Sequence, residues 1–201
     1  MSGAAASHVL DYPLSRTLKA ADGTTRTETL SEVSLRRATV EDLCQSDRAT
    51  GDAARGLILL GRLSGLGDRD IDRLDMADLT ALTELASEIG NVEDAEETIF
   101  EIEDGRYVMD LRHAIVLRSQ NTGAEERLEK ISLRRPNGGD IRATEAIKGV
   151  MTSGREMVVR LSGLDKRAVN RIDAEDFGQL MVLIGNFTRP GQRTGPTPSA
   201  S

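Results

Sequence analysis

Leu63-Ser64-Gly65-Leu66 returns 98 positions later as Leu161-Ser162-Gly163-Leu164, and its surroundings return with it. An internal repeat constrains a fold more than any local motif does. Laid without a gap, residues 30–82 match residues 128–180 at 18 of 53 positions, where ordinary residue usage gives about 3 by chance. The matches include Leu35-Arg36-Arg37, Asp42, Gly51, Gly56, Asp75 and Asp78, and mismatches such as Val33 with Ile131 or Leu79 with Phe177 are conservative. The chain is two copies of one module.

The tetrapeptide reads as the end of a helix. Its glycine is the residue at which helices commonly close in the left-handed conformation, and the leucine after it supplies the accompanying apolar contact. Ahead of it, Ile147, Val150, Met151, Gly154, Val158 and Leu161 trace one helical face at steps of three and four, as Leu57, Leu60 and Leu63 do less cleanly in the first copy. Thr39 with Asp42, and Asn137 with Asp140, have the spacing of an N-cap and its acidic partner, so a helix is predicted to open at both places. A short turn through Ile71 and Leu74 then leads to a second cap, Asp75 with Asp78, mirrored by Asp173 with Asp176. The last helix carries Leu79, Leu82, Ala86 and Ile89 in one copy and Phe177, Leu180, Met181, Ile184 and Phe187 in the other.

Upstream of the helices the period changes to two. Leu10, Tyr12 and Leu14 alternate, as do Val33 and Leu35, with Asp22-Gly23 between them as a hairpin signal. Tyr107, Met109, Leu111, His113 and Ile115 repeat the plan, with a turn at Gln120 to Gly123 and a return through Leu128, Ile131 and Leu133. The fold class is therefore α+β, two tandem copies of an N-terminal β-hairpin followed by two or three α-helices. Residues 1–8 are expected to be a disordered N-terminus, 9–90 the first module, 91–105 an acidic linker with some helix, 106–187 the second module, and 188–201 a disordered tail rich in Arg, Pro, Gly, Ser and Thr.

Composition narrows the function. Only 38% of residues are hydrophobic and 2% aromatic, with no Trp, so each core is built of Leu, Ile, Val, Met and Ala. Such thin cores suit a protein of modest stability that leans on a partner or on self-association. A net charge of −7 opposes a non-specific grip on nucleic acid or anionic lipid, and few aromatics are present to stack on bases. The single Cys44 cannot form an internal disulfide, no signal peptide or membrane span is legible, and a reducing cytoplasm is the expected location.

Chemistry is sparse. Asp68, Asp70 and Asp72 imitate the opening of a calcium loop, but Arg73 stands at the sixth place and Leu79 at the twelfth. Two histidines, His8 and His113, are too few for a zinc site without cysteines. Walker loops, nucleophile elbows and the dinucleotide glycine pattern are absent, and the recurring aspartates sit where helix starts want acceptors. The repeat carries a shape and not a reaction, so the expectation is no enzyme, no cofactor and no metal.

The order of these motifs resembles the small tail assembly chaperones of Mu-like and related contractile-tailed phages. It is carried by Leu133-Arg134-Arg135-Pro136 with Asp140, Leu161 to Leu164, and Ile172-Asp173 with Asp176-Phe177, and in the first copy by Leu35-Arg36-Arg37, Asp42, Leu63 to Leu66, and Leu74-Asp75 with Asp78-Leu79. The first copy departs at Ala38, where the family usually has proline, and the tandem arrangement departs from the single-module form. The resemblance implies a non-enzymatic assembly factor that binds the phage tape measure protein, with the tail tube protein as a further partner, keeps it soluble in the host cytoplasm, and leaves before the virion is complete. It transfers no chemical site.

Two further readings stand beside it, a structural tail or baseplate subunit that polymerises by strand addition, and a host adaptor module. For partner binding the candidates are Met151, Met157, Phe177 and Met181 on the helix stripes, each with the alternative of filling the core, and Arg36, Arg37, Arg134 and Arg135 of the repeated Leu-Arg-Arg. The arginines have the alternative of pairing with the acidic linker or nearby helix carboxylates.

Overall fold

The computed structural model describes residues 5–19, 22–90, 101–118, 123 and 125–187. The expected disordered tail, the N-terminal four residues, residues 91–100 of the acidic stretch and most of the second hairpin turn lie outside these. The chain divides into two compact units, Met1–Glu93 and Asp94–Ser201.

In the first unit β1 (Ala6–Lys19) pairs antiparallel with β2 (Thr25–Leu35), followed by α1 (Val40–Ser46), α2 (Asp52–Ser64), α3 (Asp68–Ile71) and α4 (Met76–Gly90). The second unit has β3 (Glu101–Glu103), β4 (Arg106–Arg118), β5 (Glu125–Leu133), α5 (Gly138–Glu145), α6 (Val150–Ser162), α7 (Lys166–Asn170) and α8 (Ala174–Phe187). The architecture is α+β, a β-hairpin followed by helices, made twice. β1 begins at Ala6, inside the stretch read as a disordered N-terminus, because Ala6 pairs with Leu35 and Ser7 with Ser34. β3 falls in the stretch read as linker and extends the second sheet by pairing Ile102 with Tyr107.

The capping boxes form as expected. Asp42 Oδ2 accepts from the Thr39 N–H at 3.0 Å, and Asp140 Oδ2 from the Asn137 N–H at 2.9 Å. The helix they open, however, does not run on to the tetrapeptide. It ends at Ser46 or Glu145, and the next helix opens after Gly51 or Gly149, both at φ 93°, a conformation that side chains strongly resist. Ile147 consequently lies in the connection and not on the helical stripe.

The tetrapeptide is a helix stop tied to the hairpin. Leu63 and Leu161 are buried, and their carbonyls accept from the Arg36 and Arg134 N–H groups at 3.2 and 3.1 Å. The Ser64 and Ser162 hydroxyls each donate to the carbonyl four residues back at 2.7 Å, then accept the N–H two residues on. Gly65 and Gly163 close the helices at φ 71° and 78°.

Strand alternation is interrupted in the same place in each unit. The register breaks between Val9 and Leu14 and between Asp110 and Ile115. Tyr12 is therefore 66% exposed, while Leu10 and Leu14 on either side of it are buried. A bulge of this kind strips N–H groups of their cross-strand partners. Buried carboxylates replace them: Asp78 accepts from Asp11 and Tyr12 at 2.9 and 3.3 Å, and Asp176 from Arg112 and His113 at 3.0 and 3.1 Å. The spacing of these aspartates suits helix capping, but it is Asp75 and Asp173 that supply the N-cap oxygens, accepting from the Ala77 and Glu175 N–H groups.

Candidate functional site

Of the two readings of the Leu-Arg-Arg runs, the geometry shows internal pairing for the first arginine. Arg36 donates through both terminal nitrogens to Asp42, at 2.6 and 2.8 Å, and Arg62 Nε adds a third bond at 2.8 Å. Arg134 repeats the fork on Asp140 at 2.7 and 2.8 Å. Burial pushes the Asp42 carboxyl up, but the bonds from Arg36 and Thr39 outweigh it and hold the group at about 2. The Arg134 guanidinium likewise holds Asp140 at about 2 against its burial. This clamp fastens the strand leaving the hairpin to the start of α1 or α5. Arg37 is half-buried, with its carbonyl accepting from Arg36 at 2.9 Å. Arg135 is exposed and lies 5.6 Å from the centre of the Phe187 ring, which meets Tyr107 edge-on at 4.7 Å.

The methionines separate from Phe177. Phe177 is 1% exposed, a core residue lying beneath Gly154, which is the core-filling alternative that the sequence left open for it. Met151 is half-buried but does not line the groove described next. Met157 and Met181 do: with Ile147, Gly149, Val150, Ser153, Gly154 and Ile184 they border an open cavity of about 400 Å³ between α6 and α8. Val150 is 72% exposed at its rim. A Cβ on Gly154 would sit 2.7 Å from Met181 Sδ, so glycine is what brings the two helices this close. The helical spacing puts Val150 and Gly154 on the core stripe, but a second stripe, 150, 153, 154 and 157, lies one step round the same helix and faces the groove.

Electrostatically the two buried bulge carboxylates differ. For Asp78 burial raises the carboxyl, but the Asp11 N–H, His8 Nε2 at 2.9 Å and the Tyr12 N–H together bring it below the ordinary range. For Asp176 burial prevails over the Arg112 and His113 N–H groups, nearby Asp173 adds to it, and the carboxyl is raised. The fold also brings His113, Asp173 and Glu175 within 4.8 Å of one another, a trio that sequence spacing concealed. Glu175 is ion-paired with Arg112, and His113 Nε2 lies 3.7 Å from it at the start of α8. No helix among the described residues is long and apolar enough to cross a membrane.

Residues 11–89 match the family model described as phage tail assembly chaperone proteins, E, or 41 or 14. No curated protein and no solved structure matches the chain.

Proposed function

We propose that the chain, whose residues 11–89 match the phage tail assembly chaperone family, binds the tape measure protein and keeps it soluble while the tail tube forms around it. The observation that carries this reading is the open, methionine-lined groove of the second module. Flexible thioether side chains on a concave apolar face suit an apolar stripe on a helical partner. The role requires no catalysis, cofactor or metal, and places the protein in the host cytoplasm and outside the finished virion. Met157 and Met181 are the proposed contact residues among the candidates. Co-expression with the tape measure protein followed by pull-down tests the reading: co-purification is expected, and a tape measure protein recovered without this chain contradicts it.

A structural tail subunit is the rival, favoured by one observation: among the described residues the β1–β2 hairpin has no third strand on either edge. Mass spectrometry of purified particles separates the two, since a structural subunit persists in them and an assembly factor does not.

A further inference from the structure

We propose that the α6–α8 groove of the second module, and not its counterpart in the first, takes a single amphipathic helix with an apolar stripe and acidic flanks; this rests on the chaperone reading and specifies its contact. The two copies share a fold, so their differences isolate what the groove is for. Where the second copy has Ile147, Val150, Ser153, Met157, Met181 and Ile184, the first has Ala49, Asp52, Arg55, Leu59, Thr83 and Ala86. Arg55 there reaches Asp52 at 3.5 Å, an ion pair where Ser153 and Val150 stand in the second copy.

The outer lip of α8 diverges in the same direction. Gly178, Val182 and Gly185 replace Thr80, Glu84 and Ser87, and no charged residue occurs from Phe177 to Phe187. A Cβ on Gly178 or Gly185 would meet nothing within 4 Å among the described residues, so a partner backbone can approach closely.

Charge selects the occupant. Residues 106–187 hold fourteen Lys and Arg against eleven Asp and Glu, whereas residues 9–90 hold ten against fifteen. Lys148, exposed between the lining residues Ile147 and Gly149, stands where the first copy has Thr50. Glu156, beside Met157, is paired with Arg160 at 3.8 Å. The groove thus meets its partner with an apolar floor and one exposed cation, Lys148, at its edge, with exposed Glu145 three residues before it, and Lys148 is the group complementary to an acidic flank. The groove by itself is the size of one helix and not of a subunit interface. From Val150 to Met157 a helix advances about 10 Å, and a strip one helix wide over that length is on the order of 100–200 Å², against about 800 Å² per partner in a standard interface.

The test uses the full chain and two fluorescein-labelled 18-residue helical peptides, sharing a Leu/Ala stripe and flanked by Glu in one and Lys in the other. The Glu-flanked peptide is expected to bind at least tenfold more tightly. Val150→Glu, at the first position of α6 where an acidic residue favours the helix, is expected to weaken that binding at least tenfold with the fold intact by circular dichroism. Lys148→Glu, at an exposed position, is the second variant and is expected to abolish the preference between peptides. Thr83→Glu in the first module is expected to change nothing. Binding of neither peptide, equal binding of both, or unaltered binding by folded Val150→Glu overturns the proposal. So does sedimentation showing that Val150→Glu converts a dimer to a monomer, which would make the groove a self-interface. Failure of the chain to solubilise the tape measure protein would count against the chaperone reading and leave the peptide result standing.

Discussion

Asp42 and Asp140 show how much of this small fold hangs on single carboxylates. Each is held at about 2 in the folded state, below the ordinary aspartate value of about 3.9. A carboxyl depressed by folding contributes stability that is present above its unfolded value and lost as pH falls towards the folded one. Urea midpoints of the wild type should therefore fall between about pH 4 and pH 2, and Arg134→Met should flatten that fall. Asp176 has the opposite sign: its raised carboxyl makes the charge costly when folded, and its contribution grows as pH falls through that raised value. Asp78→Ala leaves two bulge N–H groups without an acceptor and should cost at least about 2 kcal/mol in chemical denaturation. Asp176→Asn, which removes a costly charge and keeps one acceptor, should cost less than Asp78→Asn measured the same way.

The helices give a sharper comparison, because repeat-related positions face different surroundings. Gly56 and Gly154 correspond across the repeat, yet a Cβ on Gly56 meets nothing within 4 Å among the described residues, while one on Gly154 meets Met181 and Phe177. Gly56→Ala should raise stability by about 0.4–1 kcal/mol through the unfolded chain, and Gly154→Ala should gain less than Gly56→Ala, because the Met181 thioether must swing aside and the buried Phe177 ring edge, 3.3 Å from the new Cβ, must give. Thermal denaturation of the two variants checks the order. The hairpins, capping boxes and glycine stops were legible because each has a local signature: Asp22-Gly23, Thr39 with Asp42, Ser64-Gly65. The break at Gly51 was not, since a glycine at a helix start and a glycine inside a helix look alike until φ is known. The bulge at residues 10–13 was hidden because Leu10, Tyr12 and Leu14 alternate as a regular strand would. Asp78 was misassigned for the same reason, its N–H partners being 66 and 67 residues away.

Across the chain, two modules with one plan differ in charge and in groove chemistry, and the proposed docking site rests on that difference. The repeat was visible from identity alone, and so was the family likeness. Which face of α6 stays open was not visible, because core and groove stripes lie one step apart on one helix; only packing against α8 shows that Phe177 is inside while Met157 borders the cavity. The proposal that this chain keeps a tape measure protein soluble is tested most directly by the soluble fraction of the co-expressed tape measure protein with the wild-type chain, with Val150→Glu and with neither. A large soluble fraction is expected with the wild type, most of it lost with Val150→Glu and without the chain. Equal solubility with and without the chain would contradict it.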